Sequence, residues 1–357
     1  MADHPSWSYR ADAALAWIRR SIEVTGGKGS AHSYSPLWGW AGAYPETTGY
    51  LLPTLLRYAE IRQDASLRTL AGTCQKWLIS KQLPSGAFPG GLAGNVAPSA
   101  FNTAMILFGL RNPVEKTLAE LENIRRSLER AVFWLLGLLE PDGAWRQAAY
   151  VPGFVPSYYS YAVWAVLEVN QTETWPEIPG NMRRALHFYA QRFQPDGTVS
   201  DWGLRPGPVA FTHTIAYTLQ GFWESALLLD EKEILEKTLY AADRILQEHH
   251  RHGRLAGRYG PNWRGDYSFS CPTGNAQLSI LFSRIGETTG EQTFKTAAKL
   301  FLGEAACFQK LGSNRNTFGA LPGSAPFWGP YLRWRYPNWG AKFFLDAVDK
   351  TDGILQD

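Results

Sequence analysis

The sequence predicts an all-α protein in which six helical hairpins close into a ring, with an inner and an outer circle of helices. Three observations predict it: a glycine turn recurs six times, two kinds of apolar segment alternate, and no run alternates at period two long enough to demand a sheet.

The turns are GGKGS, PSGAFPGG, PDGAW, PDGTV, RHGRL and TFGAL. Their marker glycines, Gly29, Gly86, Gly143, Gly197, Gly253 and Gly319, stand 57, 57, 54, 56 and 66 residues apart. Each turn leads through an irregular loop to a helix start, near Pro45, Pro98, Pro156, Ala210, Pro272 and Pro337. Proline suits the first helical position because its φ is already helical and the N–H it lacks would have no partner there. In AYPETTGY, Glu46 follows such a proline and meets the positive end of the helix dipole.

The segments ahead of the turns are amphipathic and read as outer helices. They begin with the N-terminal MADHPSWSYRADAALAWIRR and continue with ASLRTLAGTCQKWLISKQ, VEKTLAELENIRRSLERAVFWLLGLL, NMRRALHFYAQRF, EKEILEKTLYAADRILQEHH and FKTAAKLFLGEAACFQK. The segments after the helix starts, such as FNTAMILFGL and YYSYAVWAVLEV, are apolar around more of their circumference and read as inner helices. Pairs of about 60 residues bury all inner faces only if the array closes, because an open solenoid needs polar caps and neither end supplies one. Length alone would permit two or three domains, whereas the repeat argues for one, spanning residues 1–357.

Bulk properties remove several function classes. A net charge of +3, with no block of like charge beyond HHRHGR at 249–254, speaks against a nucleic-acid partner. No run reaches the roughly 18 apolar residues of a membrane span, and the N-terminus lacks the pattern of a signal peptide. Cys74, Cys271 and Cys307 are odd in number and without metal-ligand spacing, so the expectation is a reducing, cytoplasmic setting with no metal and no cofactor.

The six glycine-turn hairpins resemble the (α/α)6 toroid of many glycoside hydrolases, polysaccharide lyases and sugar epimerases, over nearly the whole chain. WGWAGAYPETTGY with CPTGNAQLSILF resembles uncharacterised proteins of bacterial polysaccharide gene clusters, and RWRYPNWGAKFFLDAV is similar to a late helix of glucuronyl C5-epimerases, with Arg335 and Asn338 where those carry an acidic residue and His. The resemblance implies a carbohydrate-active enzyme with an oligo- or polysaccharide as partner. Isoprenoid cyclases share the architecture, but DxDD and DDxxD motifs are absent here; lanthionine cyclases hold zinc through two Cys and a His, and only Cys271 falls near the loop face.

In such a ring the loops before the inner helices meet on one face, where unpaired helix N–H groups favour anionic or hydroxyl-rich ligands. The candidates there for holding a glycan are Trp40, Asn102, Tyr159, Arg258, Trp263, Asn275, Arg335 and Trp339. Sugars present C–H faces to aromatic rings and hydroxyls to amides and Arg. A single Trp in these loops fills the core as readily as it meets a ligand; the excess on one face carries the expectation. Arg outnumbers Asp and Glu there, which points to an acidic, uronate-containing glycan.

Hydrolysis needs two carboxyl groups, roughly 5 to 10 Å apart. Glu46, Asp201 and Asp266 are the candidates, and hydrolysis by Glu46 with one of the two aspartates is the leading expectation. Each has a plainer role too: helix-dipole partner, turn former and Arg partner. The alternative is a lyase or uronate epimerase, with Tyr158 or His213 as base and Asn or Arg facing the acid group. A carbohydrate-binding protein without chemistry is the alternative from another class, and His213 also suits a buried, backbone-bonded imidazole.

Overall fold

The computed structural model describes residues 5–92, 94–114 and 117–351. The expected N-terminal helix therefore lies outside the described residues at positions 1–4, as do positions 115 and 116 of the third outer segment. Twelve α-helices are present among the described residues, in strict outer–inner alternation. The outer ones are α1 (Trp7–Glu23), α3 (Ala65–Ile79), α5 (Leu118–Leu138), α7 (Glu177–Ala190), α9 (Lys232–His252) and α11 (Gln292–Ala306). The inner ones are α2 (Pro45–Ile61), α4 (Ala100–Leu110), α6 (Ser160–Glu173), α8 (Thr212–Leu229), α10 (Pro272–Thr289) and α12 (Asn338–Lys350). The predicted helix starts fall at these N-termini or within a few residues of them. Every residue of α4 is buried, walled as it is by two inner neighbours and an outer helix.

Each inner helix packs on the next, and α12 packs back on α2, so the ring is closed. Five hairpins are made by an inner helix and the outer helix that follows it; the sixth joins the chain ends, α12 against α1. Specific bonds fasten the closure: Ser21 Oγ of α1 donates to Asn338 Oδ1 of α12 (3.1 Å), and the Tyr58 hydroxyl of α2 donates to the Leu345 carbonyl of α12 (2.8 Å). Strand pairing crosses the joint as well. The strand β1 (Ser33–Ser35) pairs with β2 (Gly39–Trp40) on one side and β6 (Tyr336–Pro337) on the other. The remaining strands, β3 (Ala210–Phe211), β4 (Arg258–Tyr259) and β5 (Gly265–Asp266), form a second small sheet on the same loop face.

All six marker glycines have positive φ. The reason for glycine is clearest at Gly319 (φ +86°), where a Cβ would lie 1.8 Å from the Ala13 carbonyl oxygen on α1. That turn lies directly on the helix that completes the ring. Inner helices also approach closely: a Cβ on Gly274 of α10 would stand 2.6 Å from the His213 nitrogen on α8. Connections from inner to outer helix are short (62–64, 174–176, 230–231 and 290–291), whereas the long loops 24–44, 80–99, 139–159, 191–211, 253–271 and 307–337 gather on the opposite face.

Candidate functional site

At the loop face the inner-helix N-termini surround a cavity of about 150 Å³. Five of the six inner-helix starts contribute to its wall. Glu46 comes from the first turn of α2, Asn102 from that of α4, Tyr158 from the 3-10 turn entering α6, His213 from α8 and Trp339 from α12. The rest of the wall is largely aromatic: His32, Tyr44, Phe101, Tyr150, Tyr217 and Tyr331, with Leu204, Leu332 and Thr214.

Glu46 holds its place because Pro45 starts α2 after Tyr44, an extended N-cap residue without a side-chain cap bond. The Tyr44 hydroxyl donates to Glu46 Oε2 at 2.5 Å. Burial raises the Glu46 carboxyl to about 7, and the bond from Tyr44 works against that rise. Glu46 is thus a carboxyl that exchanges its proton near neutrality, and Oε1 is free of the Tyr44 bond.

His213 is buried, and its Nδ1 lies 2.5 Å from Gln277 Oε1. An amide oxygen only accepts, so Nδ1 carries the proton and Nε2 keeps its lone pair. Desolvation lowers this imidazole to about 4, so it is neutral at physiological pH. His32 is lowered to about 4 by burial and by the nearby Arg335. Its ring meets Tyr44 (centroids 5.0 Å) and Trp339 (4.8 Å) edge-on, and Trp339 in turn stacks towards His213 at 6.5 Å. The Trp339 indole donates to the Tyr331 hydroxyl (2.8 Å), which fixes its ring plane. Asn102 Nδ2 donates one hydrogen to the Pro89 carbonyl (3.3 Å), and the amide retains a second.

The structure thus brings Glu46, Asn102, Tyr158, His213 and Trp339 together and sends the other expected site residues elsewhere. Asp201 sits in a turn at φ +58°, its side chain 46% exposed and 3.8 Å from Arg192. Asp266 lies on β5 and binds Arg258 (2.9 Å) and the Ser268 N–H (3.0 Å); neither aspartate lines the cavity. Arg258 is committed to that ion pair on the second sheet. Trp263 is fully buried against Trp202 and Tyr259, with its indole bonded to the Asp196 carbonyl, so it fills core. Asn275 faces outwards from α10 and donates to Glu304 (3.1 Å). Tyr159 does not line the cavity but stacks behind its wall, 5.8 Å from Phe101 and 6.3 Å from each of Trp145 and Tyr189. Trp40 packs on Trp17 (5.3 Å) and Tyr34 (5.1 Å). Arg335 stands at the rim, over the Trp38 ring at 5.2 Å, and donates to Ser33 Oγ.

Sequence reasoning passed over His32, Tyr44, Tyr150, Tyr217 and Tyr331. Two carried a usable signal. Tyr217 follows His213 by one helical turn, and Tyr44 stands directly before the proline that aims Glu46. Tyr331 lies in the longest loop, where no period places it.

No protein-family model matches the chain, and no curated protein matches its sequence. Solved structures do match. An unsaturated glucuronyl hydrolase specific for heparin is 14% identical, with 98% of each chain covered and a TM-score of 0.74. A D-mannose isomerase is 11% identical, over 98% of this chain and 99% of that one, at a TM-score of 0.73. The cellobiose 2-epimerase of Bacillus thermoamylovorans is 12% identical, over 95% and 98%, at 0.66. At 11 to 14% identity the chain shares with these enzymes its architecture, and that architecture is the (α/α)6 toroid.

Proposed function

We propose that the protein is a carbohydrate-processing enzyme that holds one sugar ring in the cavity at the loop face and moves a proton on it, with Glu46 as acid and His213 as base. The observation that carries this reading is the carboxyl of Glu46, raised to about 7 in a cavity whose wall is largely aromatic and also holds the neutral imidazoles of His32 and His213. A base that is neutral at working pH and an acid that still holds its proton are the pair required to remove a proton next to a carbonyl or carboxylate and to protonate the resulting enolate. His213 Nε2 has the free lone pair; Glu46 has the proton. Phe101, Tyr158 and Trp339 supply ring faces for the C–H side of a sugar, and Asn102 supplies an amide. Epimerisation or isomerisation is the reaction class this set supports best.

The cavity is smaller than the roughly 300 to 1,000 Å³ of drug-sized ligand sites, which fits a single terminal ring. Converging helix N-termini, with Arg335 at the rim, favour an acidic sugar. Hydrolysis is the second reading, favoured by one observation: a carboxyl protonated near pH 7 suits protonation of a leaving glycosidic oxygen. Its water-activating carboxylate would have to come from outside the cavity wall, since Asp201 and Asp266 do not line it. Solved structures with this fold carry names of both kinds, a glucuronyl hydrolase as well as an epimerase and an isomerase.

The test is a panel of aldoses, reducing disaccharides and uronate oligosaccharides incubated in D2O. Solvent deuterium entering a sugar carbon without bond cleavage supports proton transfer, and new reducing ends support hydrolysis. Glu46→Gln lowers turnover by about 100-fold or more in either case; turnover equal to wild type in that variant overturns the assignment of this cavity.

A further inference from the structure

The ring has a second opening. At the C-terminal ends of the inner helices, on the face away from the long loops, a pocket of about 480 Å³ runs inwards along the ring axis, and all six inner helices contribute to it. Its floor is the back of the first cavity's wall. Tyr50 and Phe343 face the pocket, with ring centroids 5.6 Å apart, and Tyr217 lies behind Phe343 at 5.7 Å on the loop-face side.

Apart from the exposed Lys350, charges line the walls as pairs. Arg57 meets Asp349 (3.0 Å) between α2 and α12, Arg111 meets Glu168 between α4 and α6, and Arg284 meets Glu224 (2.8 Å) between α10 and α8. Lys342 is only 6% exposed; it binds Asp346 at 2.5 Å and lies over the rings of Phe343 (4.2 Å) and Tyr50 (5.1 Å). Arg111, the C-cap residue of α4, answers the negative end of that helix, and the three inter-helix pairs clasp the ring. Those duties do not account for Gln220. It is 4% exposed, lines the pocket, and its side-chain amide makes no hydrogen bond among the described residues, with Oε1 turned into the wall. Above it the half-buried Trp164 forms part of the wall, its indole N–H given to Glu168 (2.9 Å).

We infer that this pocket is a second ligand site, and that it takes a neutral polyhydroxylated molecule, a sugar or polyol. The chemistry of the wall selects the class. Away from the exposed Lys350, an anion would have to displace Glu168, Glu224, Asp346 or Asp349 from its cation, and a cation would have to do the same to an arginine; either exchange leaves a desolvated charge behind. A neutral polyol breaks no pair. It uses the spare lone pairs and N–H groups of groups already paired, meets the unbonded Gln220 amide with a hydroxyl, and lays its C–H face on the aromatic floor and Trp164. The volume lies in the ordinary range for a small-molecule site.

The test titrates glucose, cellobiose and myo-inositol separately into the full chain by calorimetry, with sodium sulfate and glucuronate as charged controls. The expected result is millimolar or tighter binding of at least one neutral probe, kept in Glu46→Gln and weakened at least tenfold, or about 1.4 kcal/mol, by Gln220→Leu and by Trp164→Ala. Thermal melts confirm that the variants fold, and Gln220→Met, of similar volume, replaces Gln220→Leu if the latter does not. Three results overturn the inference: no neutral probe binds, a charged control binds in preference, or binding is lost in Glu46→Gln and kept in both pocket variants. Loss of the proposed activity at the loop face reads out separately, as turnover in Glu46→Gln.

Discussion

The Tyr44 hydroxyl donates to Glu46 Oε2 across 2.5 Å, two residues apart on either side of the proline that starts α2. This bond stabilises the carboxylate, while the surrounding cavity destabilises it more, so the group comes to rest at about 7.

If Glu46 acts as the acid, kcat/KM falls as pH rises through about 7 and, with His213 as base, falls again as pH drops towards about 4. Tyr44→Phe removes the bond that lowers the carboxyl, so the alkaline limb moves to higher pH. A pH–rate profile of both proteins checks this; an unmoved limb in Tyr44→Phe assigns it to another group.

Stability should fall in acid for a definable reason. His213 is lowered from 6.5 to about 4 by burial, so its contribution is whole above pH 6.5 and is lost as pH drops from 6.5 towards 4, while the unfolded chain takes up a proton that the folded one refuses. Fully expressed, this amounts to roughly 3 kcal/mol. His32 adds a loss in the same window, and Glu46, raised from 4.5 to about 7, acts oppositely, costing stability as pH rises between those values. In His213→Asn the acid-side slope of unfolding free energy against pH is shallower than in wild type; equal slopes contradict the assignment.

Two glycine variants separate ring closure from turn strain. Gly253→Ala meets no atom within 4 Å and bears only the cost of φ +70°, about 1 kcal/mol. Gly319→Ala must also drive a methyl group into the Ala13 carbonyl, and is expected to lose about 3 kcal/mol or more. Denaturant titrations of the two variants rank them. Equal losses would mean that the α1 contact at the joint contributes little.

Asp201→Asn and Asp266→Asn should keep turnover within about threefold of wild type, because both carboxylates stand outside the cavity and Asp266 belongs to a partly exposed pair with Arg258, of a kind worth about 0–1 kcal/mol. A loss near that of Glu46→Gln in either variant would restore a carboxylate pair and the hydrolytic reading.

The ring could be read from the chain because its cause is local and repeated. A glycine at positive φ, a proline or small residue at a helix start and a 3.6-residue apolar period are each written in a few neighbouring residues, and six copies leave one way to bury the inner faces. For the same reason Glu46, Asn102 and Trp339 could be placed, since the first turns of their inner helices meet at the axis; Asn275, in the first turn of α10, looks instead to Glu304 on α11. Which loop residues reach the cavity was decided only in three dimensions. Asp266 and Trp263 sit in a loop of the right kind, yet pairing of β4 with β5 and the burial of an indole turn them elsewhere, whereas His32 arrives because β1 bridges β2 and β6 across the joint. Helix starts obey short-range geometry; loop side chains obey contacts between stretches about 300 residues apart, such as Ser33 with Pro337, which no local pattern in the sequence encodes.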